Sequence, residues 1–144
     1  MRAPRGDDGN ALVEFTYLAV LLMVPLVYLL ITVFQVQRAA FGVTEAARSA
    51  GRAYVKAETP AQAAARAQEA ADLAMRDQIP GYGSANVSYP QPPSLAPGST
   101  VTVVVRHDVT LPILGGLFGA IEPTIPVRAT HVEVVDAFRE APQP

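Results

Sequence analysis

The chain contains no cysteine and no tryptophan. Without cysteine there is no disulfide framework, no thiolate metal site and no cysteine nucleophile. Charge is scarce as well: 17% of the 144 residues are charged, against roughly 25% in an ordinary soluble domain. The formal net charge is -2, so there is no excess of cations to neutralise phosphates, and nucleic acid is not an expected partner. Only two histidines occur, His107 and His131. A two-histidine metal site would need a carboxylate such as Asp108 or Glu133 beside them, and both histidines are expected on solvated strand faces instead. His107 and Asp108 are neighbours on opposite faces of a strand, which rules them out as an oriented catalytic pair. No glycine-rich phosphate loop is present. The reading is of a protein that is not an enzyme, with no catalytic, cofactor or metal residues to assign.

What the chain does have is apolar and unevenly placed. Phe15 to Phe34 form twenty consecutive residues without a charge. As a helix they extend about 30 Å, the thickness of the hydrocarbon core of a bilayer. The run exceeds the 7–15-residue apolar region of a secretory signal peptide and has no A-x-A cleavage pattern close behind it. Twenty residues apolar on every face are also hard to bury in so short a chain. A single membrane-spanning helix is therefore expected, with a kink at Pro25. Tyr17 and Tyr28 sit too deep to be interface anchors and are expected to face a partner helix.

The helix is expected to continue beyond the membrane. Val36, Ala40, Val43, Ala47, Ala50 and Tyr54 recur at spacings of four and three and make a narrow stripe of small apolar residues. Arg38, Glu45, Arg48, Arg52 and Lys56 lie mostly off it, while Gly42 and Gly51 weaken the helix. The stripe can pack on the protein's own second helix, on other subunits, or on each in turn. Thr59-Pro60-Ala61-Gln62 restarts a helix, with Thr59 as cap, Pro60 in the first turn and Gln62 completing a capping box. An alanine-rich helix follows to about Gln78, stopped by Pro80-Gly81. The period then changes to two. Short strands are expected at 86–89, 100–111 and 125–135, with a turn-rich loop at 90–99. On the middle strand Val101, Val103, Val105 and Val109 share one face. The uncharged, glycine-rich segment 111–121 is either a cover for the thin core or an exposed apolar patch for a partner or the membrane surface.

Glu14 stands one residue before the apolar run, preceded by Gly9-Asn10-Ala11-Leu12-Val13. An acid there suits the positive end of a helix dipole. Cleavage after Gly9 would also make Asn10 the N-terminus and put a free ammonium four residues from Glu14. An ammonium on one subunit could then neutralise a carboxylate on its neighbour, where an unpaired charge in hydrocarbon costs several kcal/mol.

This segment resembles the N-terminus of type IV pilins and pseudopilins, most closely the TadE/TadG-like proteins of the tight-adherence pilus system. The likeness rests on Gly9, Glu14, the aromatic Phe15, the proline-containing apolar helix, and the stretch Ala46-Ala47-Arg48-Ser49-Ala50-Gly51-Arg52-Ala53. It covers roughly residues 9–55. Asn10 stands where many type IV pilins have Phe, and Asp7 and Asp8 dilute the basic leader usual in such precursors. The resemblance implies an α+β, pilin-like fold: a long N-terminal transmembrane helix, a second helix, then a small antiparallel sheet of about three strands. It implies a prepilin-type leader at 1–9, a transmembrane helix with amphipathic extension at 10–58, a second helix at 59–79 and an extracytoplasmic β-rich region at 80–144. Gly9 and Asn10 would be the processing site, and Glu14 and Phe15 would serve subunit assembly. The implied partners are a prepilin peptidase, other pilin-like subunits, the pilus assembly machinery and the lipid bilayer. The implied place is the bacterial cytoplasmic membrane, with the C-terminal region outside the cytoplasm. Arg2 and Arg5 before the helix, against Arg38, Arg48 and Arg52 after it, lean by charge towards the opposite orientation. The alternative function is an uncleaved, membrane-anchored binding module of the cell envelope.

Overall fold

The computed structural model describes residues 8–111 and 123–138, with side chains from residue 11 onward. Two helices are followed by three strands: α1 (Asp8–Val55), α2 (Pro60–Gln78), β1 (Asn86–Ser88), β2 (Thr100–Thr110) and β3 (Thr124–Val134). The expected layout of a long apolar helix, a second helix and a three-stranded antiparallel sheet is present. The glycine-rich segment lies almost wholly outside the described residues, from 112 on.

The chain divides into two compact units, Met1–Phe34 and Gln35–Pro144. In the first, α1 is helical through Pro25 without a break, although proline supplies no N–H for the carbonyl four residues earlier. Apart from Ala19 and Tyr28, the apolar side chains from Leu12 to Phe34 are exposed, with Phe15 at 71% and Leu22 at 72%. The hydroxyls of Thr16 and Thr32 donate to the carbonyls of Leu12 and Tyr28, both at 2.9 Å. Satisfying a hydroxyl inside its own helix is what an apolar solvent demands.

In the second unit, α1 from Val43 to Tyr54 and α2 from Ala63 to Met75 share one core with the sheet. The sheet order is β1-β2-β3, antiparallel throughout. Val101, Val103, Val105 and Val109 point inward, as the period of two requires. Val101, Val103 and Val105 pack in one core with Val43, Ala46, Ala47, Ala50 and Tyr54 of α1 and with Ala63, Ala67, Ala71 and Met75 of α2. The stripe on α1 differs from the expected one. Ala40 is exposed and Val36 half-buried, while Ala39, Gly42, Ala46 and Gly51 join the buried face. The face is wider than a two-element seam because both α2 and the sheet pack against it, and the expected register took only one of those contacts into account.

Both glycines in the stripe mark close approaches. A Cβ on Gly42 would stand 3.2 Å from Met75 Sδ, and one on Gly51 would stand 3.0 Å from His131 Cδ2. Thr59 caps α2 by accepting from the Gln62 amide at 3.3 Å. The reciprocal bond from the Gln62 side chain is not made among the described residues, so only half of the expected capping box forms.

One face of α2 also fixes the path into the sheet. Gln68, Asp72 and Arg76 recur every four residues and so share that face. Asp72 Oδ1 accepts from the Ala85 amide at 2.7 Å, and Gln68 Nε2 donates to the Ala85 carbonyl at 2.8 Å. Arg76 donates to the carbonyls of Tyr82 and Gly83 at 3.3 and 3.0 Å. The chain is thereby aligned before β1 begins. Gly98, at φ +75°, turns the chain into β2, and its amide donates to the Val135 carbonyl at 3.1 Å.

Candidate functional site

The residues singled out by the sequence all lie at the start of α1. Gly9 and Asn10 fall within its first turn. The first four amides of a helix have no partner within it, so opening the backbone at this bond costs less than anywhere deeper. Helical spacing puts positions 10 and 14 on one face. Glu14 is exposed and makes no hydrogen bond or ion pair among the described residues. Phe15, beside it, is also exposed.

These two residues open onto a stretch long and apolar enough to cross a membrane, and none of its most apolar window is buried. Tyr28 adds a second feature, since its hydroxyl oxygen is shielded from solvent and has no hydrogen-bond partner among the described residues. The apolar helix therefore carries a carboxylate near one end and an unbonded phenol in its interior.

The histidines are not solvated strand-face residues as expected. Strand alternation places both on the inner face, where helices cover the sheet. His131 is half-buried, and its Nε2 lies 2.9 Å from Glu133 Oε2. The imidazole ring occupies the space left by the missing side chain of Gly51. His107 stacks edge-on against Tyr82, with centroids 5.0 Å apart. Burial pushes the His107 imidazole below its usual value, and the Asp108 charge opposes that shift.

Three tyrosines of the same unit are raised by burial. For Tyr82 the charges of Asp72 and Asp108 add to the effect, and for Tyr89 the neighbouring Tyr54 does. Among the described residues no three of His, Asp and Glu are grouped to hold a metal. A cleft beside Gln35 and Arg38 was not foreseen from the sequence. It is lined by residues of α1 from Gln35 on, the end of α2 and β2, and no sequence pattern marks such a meeting.

No protein-family model matches the chain, and no similar curated protein or solved structure is found.

Proposed function

We propose that this chain is a minor pilin or pseudopilin that takes part in assembly or initiation of a tight-adherence pilus, acting by packing and not by catalysis. The observation that carries the reading is Glu14, exposed and without a partner among the described residues, at the mouth of an uncharged helical stretch whose apolar side chains are mostly exposed. A helix used only as an anchor gains no more than a favourable dipole interaction from a carboxylate there, while moving it towards hydrocarbon costs a few kcal/mol. A helix that must leave lipid for a bundle gains a pairing rule. Removal of the leader after Gly9 creates an ammonium on Asn10, and Glu14 of one subunit neutralises the ammonium of the next.

Glu14→Leu tests the reading. The variant should insert into the membrane as well as the native chain, or better, yet lose crosslinks between the apolar helices of neighbouring subunits in native membranes. Undiminished crosslinking would remove the role assigned to Glu14 and leave an anchored binding module as the better account.

A further inference from the structure

On the sheet face turned away from the two helices, Arg106 of β2 stands directly opposite Arg128 of β3, and both are exposed. The Leu111 amide donates to the Pro123 carbonyl and the Val135 amide to the Ser99 carbonyl. By strand alternation the odd-numbered residues of β3 therefore turn their amides and carbonyls towards β2, and the even-numbered ones turn theirs away. Arg106 and Arg128 thus form a pair with no backbone hydrogen bonds between them, the arrangement that brings opposed side chains closest. Like charges in that position repel. Asp108 lies two residues along on the same face, yet neither guanidinium makes an ion pair or hydrogen bond among the described residues. Further along β3 the same face carries Val132 and Val134, 54% and 60% exposed.

The outer side of α2 carries the matching features. Leu73 is 63% exposed. Asp77, one helical turn or about 6 Å further on, is exposed and makes no ion pair or hydrogen bond among the described residues. Both point away from the buried face formed by Ala63, Ala67, Ala71 and Met75. We propose that copies of this chain pack head to tail, the outer side of α2 in one copy seated on the open sheet face of the next, with Leu73 on Val132 and Asp77 between Arg106 and Arg128. The order of the groups agrees. The end of α2 lies at the end of β2, where Gln78 and Ile79 share a cleft with His107 and Thr110, so α2 and β2 run in the same sense. In two copies turned the same way, Leu73 precedes Asp77 just as the level of Thr102 and Val132 precedes that of Arg106 and Arg128. Those two levels are about 13 Å apart, and the arginine side chains are long enough to close the difference. The two surfaces lie on opposite sides of the unit, so the contact repeats without closing and reverses no copy, as anchorage in one membrane requires. It uses the second unit alone and is independent of Glu14 and of any cut after Gly9.

The absence of cysteine makes the test direct. Full chains carrying Leu73→Cys or Val132→Cys, with different tags, are co-expressed in one membrane and treated with a short bismaleimide. The mixed Leu73–Val132 crosslink should exceed either like pair about fivefold, because a head-to-tail contact never brings two copies of one surface together. Asp77→Arg in the Leu73→Cys chain should cut the mixed yield about tenfold, since it sets three like charges together. Arg106→Asp with Arg128→Asp in the Val132→Cys chain should then restore it. All of the altered side chains are exposed, and an unchanged near-ultraviolet circular dichroism spectrum checks that each variant is folded. Like pairs as abundant as the mixed one overturn the proposal in favour of a two-fold or random contact. Absence of the mixed crosslink overturns it as well, and so does a yield that Asp77→Arg leaves unchanged or that the reversed pair fails to restore.

Discussion

Alanine in place of a mid-helix glycine ordinarily adds about 1 kcal/mol through helix propensity, so Gly42→Ala and Gly51→Ala should both stabilise if helix formation alone mattered. Packing separates them. At Gly42 the new methyl would meet Met75 Sδ at 3.2 Å and Gln78 Cβ at 3.4 Å. The thioether is unbranched and can move a few tenths of an ångström by rotation about its bonds, so Gly42→Ala should keep most of its gain. At Gly51 the methyl would meet His131 Cδ2 at 3.0 Å and Glu133 Cβ at 3.4 Å. The ring is held by its 2.9 Å contact with Glu133 and by its place in β3. Overpacking of this kind costs about 1–3 kcal/mol, leaving a net loss of about 0–2 kcal/mol once propensity is counted. For a domain of about this size, 1 kcal/mol moves the melting temperature by about 4–8 °C. The assay is thermal unfolding of the full chain in a mild non-ionic micelle, followed by the near-ultraviolet signal of the tyrosines. Gly51→Ala should melt below the native chain and Gly42→Ala at or above it. In a His131→Ser background, where the ring is gone, the Gly51→Ala penalty should vanish. Equal melting temperatures for the two alanine variants would refute the close approach of β3 to α1 at Gly51.

Three further outcomes are expected. Asp72→Ala leaves the Ala85 amide without its acceptor, which should cost about 1–3 kcal/mol; hydrogen exchange at Ala85 should quicken, and unchanged protection there would exclude the clamp. Tyr54, Tyr82 and Tyr89 have raised values in the fold, so the stability from keeping them neutral is present below about pH 10 and is lost as pH rises above it; a melting temperature flat across that range would contradict their burial. His107 is shifted the other way, so its contribution is present above about pH 6.5 and is lost as pH falls from there through its folded value. His107→Gln should remove that acid-side dependence, and a native-like acid profile in the variant would contradict the assignment.

Much of the architecture was legible because it depends on signals local in the chain. An uncharged run of twenty residues, Thr59-Pro60 ahead of an alanine-rich helix, and alternating valines on β2 each specify an element with little help from the rest of the fold. The elements begin and end within a few residues of expectation, since Pro80 and Pro90 stop the preceding structure for reasons of backbone geometry. What was not legible depends on which elements meet. The stripe on α1 includes Ala46 and Gly51, which a single partner would not require, because α2 and the sheet share that helix. Gly42 and Gly51 read as weak points in a helix until Met75 and His131 are seen in the spaces they leave. The histidines fit a solvated strand face equally well in sequence, and only the packing of α1 on β3 turns His131 inward. At the start of α1 the residues were easy to single out, but the partner proposed for Glu14 belongs to another molecule.

The central claim is therefore tested most directly at that bond, by the mass of the N-terminal peptide of the protein purified from the membranes of its native host. The account predicts a mature chain beginning at Asn10, with its ammonium four residues from Glu14. A chain still beginning at Met1 or Arg2 would leave Glu14 without that partner and would contradict the pilin reading.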